Sequence, residues 1–261
     1  MQDLGTLGGS ESAAYGVSAD GSVVVGMAYN ASGQPRAFRW TQATGMQDLG
    51  TLGGYYWIGA RGVSADGSVV VGRVLGEASG YARAFRWTQA TGMQDLGTLP
   101  GGNWSEALGV SADGLVVVGM AYNASGQPRA FRWTQAGGMQ DLGTLGGDQS
   151  EAFGVSADGS VVVGYARNAS GYSRACRWTV TQSGIQIEDL NQTYASLLRD
   201  GSALWKATAI SPDGRYIVGQ GYNRARGRQE AFLLDTVPEP VSVVVLGAGL
   251  AGLLKLRRRR A

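Results

Sequence analysis

Five aspartates, Asp20, Asp66, Asp113, Asp158 and Asp213, each stand directly before a glycine in this 261-residue chain. A recurring acid of this kind suggests calcium loops, but calcium takes roughly six to eight oxygen ligands. Each place here offers a single carboxylate, so turn formation is the better reading. There is no histidine at all, which removes the commonest general base and metal ligand together. The one cysteine, Cys176, has no partner for an intramolecular disulfide. It stands where other repeats carry Phe38, Phe85, Phe131 and Phe232, and reads as a small buried hydrophobe. Only Glu188, Asp189 and Asp200 gather carboxylates at a unique place, the minimum for acid-base work. The inventory predicts no enzyme, no cofactor and no metal. Its rival is a polysaccharide-active enzyme using carboxylates in a central channel.

The remaining chemistry is aromatic. Tyr55, Tyr56 and Trp57 occupy one connection, Trp104 another, and Tyr29 and Tyr172 flank polar loops. Rings in loops suggest a ligand surface such as a saccharide platform, because loops are normally polar. The other reading is that they fold over neighbouring strands and pack. Asn30-Ala31-Ser32 and its copies at Asn123 and Asn168 fit a glycosylation sequon but read better as turn residues. Gly53-Gly54 matches no phosphate loop.

These residues are carried by a repeat. Asp-Leu recurs at Asp3, Asp48, Asp95, Asp141 and Asp189, a step of ~46 residues. Ser-Ala-Asp-Gly stands at Ser18, Ser64, Ser111 and Ser156 and returns as Ser-Pro-Asp-Gly at Ser211. Each unit reads as four strands. Tyr15 to Ser18 lead into the Asp20-Gly21 hairpin, and Ser22 to Gly26 form an unbroken β-branched run suited to a strand covered on both faces. Arg36-Ala37-Phe38-Arg39-Trp40 alternates as a third strand, and Met46 to Gly50 supply a fourth. Four antiparallel strands per repeat predict an all-β fold, a five-bladed β-propeller over 1-236.

Closure is expected from Met1 to Leu4, a fourth strand without a blade, pairing with Ala231 to Asp235, a third strand without a fourth. A β-solenoid, or a larger propeller truncated at its N-terminus, is the alternative. The fourth-to-first and second-to-third connections emerge on one rim and vary; the other two turns, on the opposite rim, hardly change. If Gln42 to Gly45 is a four-residue turn, Arg39 faces Asp48. The fourth repeat should lack this pair, because Arg177 to Asp189 spans a longer turn. The insert from Ile187 to Lys206 predicts a short helix over Gln192 to Arg199, capped by Asn191.

Net charge is +2, and the Arg257-Arg258-Arg259-Arg260 run supplies four positive charges, so the repeat body is slightly acidic. That argues against nucleic acid as a partner. After Asp235 the composition changes: Val237-Pro238-Glu239-Pro240 cannot continue a ladder, and Val241 to Leu254 is apolar and uncharged. The stretch predicts a helix detached from the repeats, with the arginines on the cytoplasmic side of a membrane.

Pro238-Glu239-Pro240, the apolar stretch and Arg257 to Arg260, in that order, resemble the PEP-CTERM sorting signal of Gram-negative bacteria. The repeats resemble the HAF family of extracellular repeats in Asp48-Leu49-Gly50, Asp20-Gly21 and Ala37-Phe38-Arg39-Trp40, with Arg36 where that family name implies histidine. The resemblance implies export, processing by an exosortase near Pro238-Glu239-Pro240, transient membrane anchoring through 237-261, and a cell-surface or matrix destination. It also implies a leader ahead of Met1, since Met1 to Gly9 is already repeat sequence. A binding or structural role toward exopolysaccharide is the expectation; a passive spacer is the alternative.

Overall fold

Three consecutive valines cannot alternate between core and solvent, so each Val-Val-Val run needs cover on both sheet faces. The structure, a computed structural model, describes residues 1–53, 55–76, 81–198 and 200–237, leaving aside the side chains of Tyr55 and Tyr56. It supplies that cover by stacking sheets face to face. The first sheet holds β1 (Gly8–Val17), β2 (Val23–Asn30), β3 (Pro35–Thr41) and β4 (Gly45–Asp48). The second holds β5 (Tyr55–Val63), β6 (Val69–Gly76), β7 (Ala82–Thr88) and β8 (Gly92–Asp95). The third holds β9 (Ser105–Val110), β10 (Val116–Tyr122), β11 (Pro128–Thr134) and β12 (Gly138–Asp141). The fourth holds β13 (Gly146–Val155), β14 (Val161–Asn168), β15 (Ser173–Thr181) and β16 (Gly184–Asp189). The fifth has three strands, β17 (Ala203–Ile210), β18 (Tyr216–Asn223) and β19 (Arg228–Asp235). Every sheet is an antiparallel meander in chain order.

The core lies between successive sheets. Val23, Val25 and Ala37 of the first sheet pack with Ile58, Ala60, Val70 and Phe85 of the second. Burying such a side chain fully stabilises by about 1.5–3 kcal/mol. The same division recurs at the next interface, where Val69, Val71 and Ala84 meet Ala107, Val117 and Phe131. Cys176 fills its Phe position at 0% exposure among Val162 and Trp178, as expected. First strands of all five sheets line one central space of about 250 Å³, touched by Val17, Val63, Val110, Val155 and Ile210. That radial arrangement is a propeller's and excludes the linear solenoid.

Closure is not observed. Met1 to Leu4 form no strand, β19 pairs only with β18, and no substantial contact joins β17–β19 to β1–β4. Leu4 instead lies against Phe38 and Trp40 of its own repeat, and Gln2 donates to the Gln42 side chain. The fifth blade has lost the groups that tie other blades together. Ala19, Ala65 and Ala112 each donate their N–H to the next blade's turn, at 3.0, 3.1 and 3.1 Å; Pro212, at that position, has no N–H. Arg39 and Arg86 donate to the Gly67 and Gly114 carbonyls of the following blade, and Leu233 stands in their place. Glu230 replaces the arginine that in the first three blades holds the fourth-strand aspartate, so Asp3 would meet a like charge. Val218 and Leu233 accordingly stay 40% and 69% exposed, and Ala14 is exposed where Ala60, Ala107, Ala152 and Ala207 are buried.

The expected register is off by one. Thr41 faces Gly45, Arg39 faces Gln47 and Phe38 faces Asp48, so Arg39 and Asp48 point to opposite faces of the sheet. The turn has three residues because Gly45 adopts φ 67°, a left-handed conformation that closes the hairpin one residue early. Asp48 pairs with Arg36 instead, at 3.8 Å, as Asp95 does with Arg83 and Asp141 with Arg129. The fourth repeat lacks an Arg177–Asp189 pair, as expected; Arg177 there pairs with Glu188.

The insert is also shorter in helix than expected. Asp189, not Asn191, caps a single turn, α1 (Leu190–Thr193), and a 3-10 turn follows at Ala195–Leu197. The expected helix over Val241 to Leu254 and the sorting residues Pro238, Glu239, Pro240 and Arg257 to Arg260 lie outside the described residues. Among the described residues no helix is long and apolar enough to cross a membrane.

Candidate functional site

The two rims differ in kind. On one, each Ser-Ala-Asp-Gly turn is locked by its own side chains. Ser18 donates its hydroxyl to Asp20 at 2.7 Å and accepts the Val23 N–H at 3.0 Å, while Asp20 accepts the Ser22 N–H at 3.0 Å. The Ser22 amide and the Ser18 hydroxyl hold the Asp20 carboxyl at about 2, well below its ordinary value. Asp66 and Asp158 are held at about 2 by Ser64 and Ser156 respectively, helped by the following serine amides. These carboxylates are engaged in turns, and among the described residues no group of three or more Cys, Asp or Glu could hold a metal ion.

The opposite rim carries the aromatics. Trp104 directly precedes β9 and stacks on Tyr122 at the end of β10, with ring centroids 5.3 Å apart. The Arg73 guanidinium lies 5.2 Å from the Trp57 ring and 5.6 Å from the Trp104 ring. Arg73 also donates to Glu106 at 2.8 Å, and Arg61 donates to the other Glu106 oxygen at 3.0 Å. Two half-buried tryptophans thus bracket an arginine held by a buried carboxylate. In this cluster Trp57 and Trp104 pack, as one of the two sequence readings has it. Tyr29 is half-buried on β2. The side chains of Tyr55 and Tyr56 lie outside the described residues.

Tyr172 is different: it is 66% exposed at the β14–β15 turn and borders a cavity of about 620 Å³ between the fourth and fifth blades. Tyr165, Arg174, Trp205, Lys206 and Gln220 line the same cavity. The insert builds its far wall. Asn191 clamps the start of β17, its side chain donating to the Leu204 carbonyl at 2.8 Å and accepting the Leu204 N–H at 2.7 Å. A bulge between Leu204 and Lys206 then turns Trp205 out of the ladder onto Tyr222, 5.9 Å away and nearly parallel. On the near wall, Tyr165 stacks on Phe153, and Lys206 Nζ sits 3.7 Å from the Phe153 centroid. Burial raises the Glu151 carboxyl pKa, with Lys206 pulling it down and Glu106 pushing it up. Burial also raises the Tyr165 hydroxyl, reinforced by Glu151.

Sequence reasoning reached Tyr172 but missed Tyr165, Arg174, Trp205, Lys206 and Gln220. Lys206 was legible as the one lysine in the repeat body, next to the tryptophan of the only divergent repeat. The carboxylates singled out for catalysis are not brought together on this cavity. Glu188 pairs with Arg177, Asp189 caps α1 and Asp200 accepts the Ser202 N–H at 2.9 Å. The wall offers flat rings to stack against C–H faces, and a guanidinium and an ammonium to hold charge.

No family model matches the sequence, and no curated protein matches it. Solved structures do share the fold. TolB from Acinetobacter baumannii superposes with a TM-score of 0.55 at 15% identity, over 87% of this chain and 52% of that one. A TolB from Agrobacterium tumefaciens gives 0.56 at 16% identity, over 86% and 76%. The β-propeller domain of the Trilobed protease from Pyrococcus furiosus, described as having an open velcro topology, gives 0.51 at 10% identity, over 89% and 70%. The chain spans about half the length of the Acinetobacter protein. At these identities the likeness is one of fold, a β-propeller.

Proposed function

We propose that this chain is an exported binding module whose aromatic rim engages saccharide, without turnover. One observation carries the reading: the exposed Tyr172 ring and the half-buried Trp205 ring, backed on Tyr222, both line a cavity of about 620 Å³, while the opposite rim is tied into turns. Stacking of sugar C–H faces on such rings is the chemistry a cavity of this lining supports. The resemblance of the repeats to extracellular HAF units, and of 237–261 to an exosortase sorting signal, supports export and a surface or matrix destination with exopolysaccharide as the ligand. The engaged state of Glu188, Asp189 and Asp200 supports binding over catalysis.

The test is a saccharide array probed with the full chain and with Trp205→Ala. The reading expects a saccharide bound by the wild type and lost in the variant, with unchanged circular dichroism. Binding that survives Trp205→Ala undiminished, or no binding at all, contradicts it.

A further inference from the structure

Four arginines hold the same position on the third strands of the first four blades: Arg36, Arg83, Arg129 and Arg174. The first three are ion-paired with the fourth-strand aspartates Asp48, Asp95 and Asp141. In the fourth blade no ion pair joins Arg174 to the corresponding aspartate, Asp189, among the described residues. Asp189 Oδ1 accepts the backbone N–H of Asn191 at 2.9 Å, just as Asp48, Asp95 and Asp141 accept the N–H two residues on, but it also accepts the Asn191 side-chain N–H at 3.0 Å. Arg174 thus lacks the pair that its three counterparts keep. Its Nε, like that of Arg36, is buried without a hydrogen-bond partner among the described residues, and its guanidinium lies 6.0 Å from the Tyr172 ring, on the wall of the cavity. A buried donor left unpaired costs on the order of a hydrogen bond, so an incoming acceptor recovers that energy. Lys206 adds a second positive charge to the same lining. Glu151 opposes it from the Phe153 side, so Arg174 is the main anion-holding group.

We infer that the cavity between the fourth and fifth blades selects an acidic saccharide. The sugar carboxylate lies toward the Arg174 guanidinium, with Lys206 beside it, and the sugar ring lies against Trp205 and Tyr172. A planar guanidinium matches a carboxylate in a forked geometry, and an adjoining ring orients the sugar attached to it. The inference rests on the reading of this rim as a saccharide-binding face and adds the charge of the ligand to it.

Oligogalacturonate and its methyl ester make the test, because they share one sugar backbone and differ in the carboxylate charge. Both are titrated calorimetrically into the full chain, the wild type alongside Arg174→Gln and Trp205→Ala. The expected result is that the free acid binds at least roughly tenfold more tightly than the ester. Arg174→Gln should remove that ratio while leaving ester binding in place, and Trp205→Ala should weaken both ligands. Equal binding of acid and ester by the wild type overturns the acidic selection and leaves the saccharide-binding face standing. An acid preference that persists in Arg174→Gln overturns the role given to Arg174. Failure of the wild type to bind either ligand overturns the inference and counts against the face as well.

Discussion

The amide of Ala157 donates to the carbonyl of Pro212 at 2.9 Å, and with that bond the relay from blade to blade stops. Ala65, Ala112 and Ala157 each accept from the preceding turn and donate to the next, and Ala19 donates to Ala65; proline can only accept. The fifth repeat shows that the turn backbone tolerates proline at this position, so the substitution can isolate the hydrogen bond. Ala112→Pro should lose the bond to Ala157 and cost about 0.5–1.5 kcal/mol in urea unfolding. Pro212→Ala should cost only the stiffness that proline lends the unfolded chain, about 0.4–1 kcal/mol. A stabilising Pro212→Ala would show that the fifth blade does meet a partner through this turn.

Gly164 sits where a Cβ would stand 1.9 Å from the Glu151 carbonyl oxygen, at the irregularity between β13 and β14. That contact involves backbone on both sides, so neither strand can yield cheaply. Gly164→Ala should destabilise by about 1–3 kcal/mol, read as a fall in the urea midpoint at constant slope.

The turn aspartates set an acid limit. Asp20, Asp66 and Asp158 have folded pKa values of about 2, depressed from 3.8. A depressed acid contributes stability that is fully present above the unfolded value and is lost as pH falls through the folded one. The melting temperature should therefore decline between 3.8 and about 2, and Asp66→Asn should flatten part of that decline. An unchanged profile in the variant would mean that the Ser64–Asp66 contact is not maintained in solution.

Glu106 separates packing from binding on the aromatic rim. It is 8% exposed and accepts from both Arg61 and Arg73; Arg73 in turn lies against the Trp57 and Trp104 rings, and Arg61 against Tyr15. Glu106→Gln should cost about 1–3 kcal/mol of stability. Saccharide affinity at the Trp205 cavity should not change, a comparison made by calorimetry below the unfolding transition.

Much of the fold was legible because the repeat prints it four times over. The Val23-Val24-Val25 run needed cover on both faces, and Asp20-Gly21 marked where the chain reverses. Register was not, because Gln42 to Gly45 fits either a three- or a four-residue turn until the φ of Gly45 is known. Closure failed for a related reason: Met1 to Leu4 repeats Met46 to Leu49 letter for letter, yet strand pairing depends on the partner, and β19 offers Glu230 and Leu233 instead of arginines. Of the candidate site, Tyr172 was visible as an aromatic in a polar loop. Trp205 was hidden because a bulge, which leaves no regular pattern in sequence, turns it outward. Arg174 looked like three other arginines, and what sets it apart is the missing ion pair to Asp189, whose carboxylate also takes the Asn191 side chain.

Hydrogen–deuterium exchange of the full chain, with and without a saturating saccharide found on the array, tests the central claim most directly. A ligand seated on the aromatic rim should slow exchange at the β14–β15 turn around Tyr172 and along the start of β17 around Trp205. The Ser-Ala-Asp-Gly turns at Ser64 and Ser111 should exchange as before. Protection confined to those turns, or absent from both β17 and the β14–β15 turn, would contradict a binding face between the fourth and fifth blades.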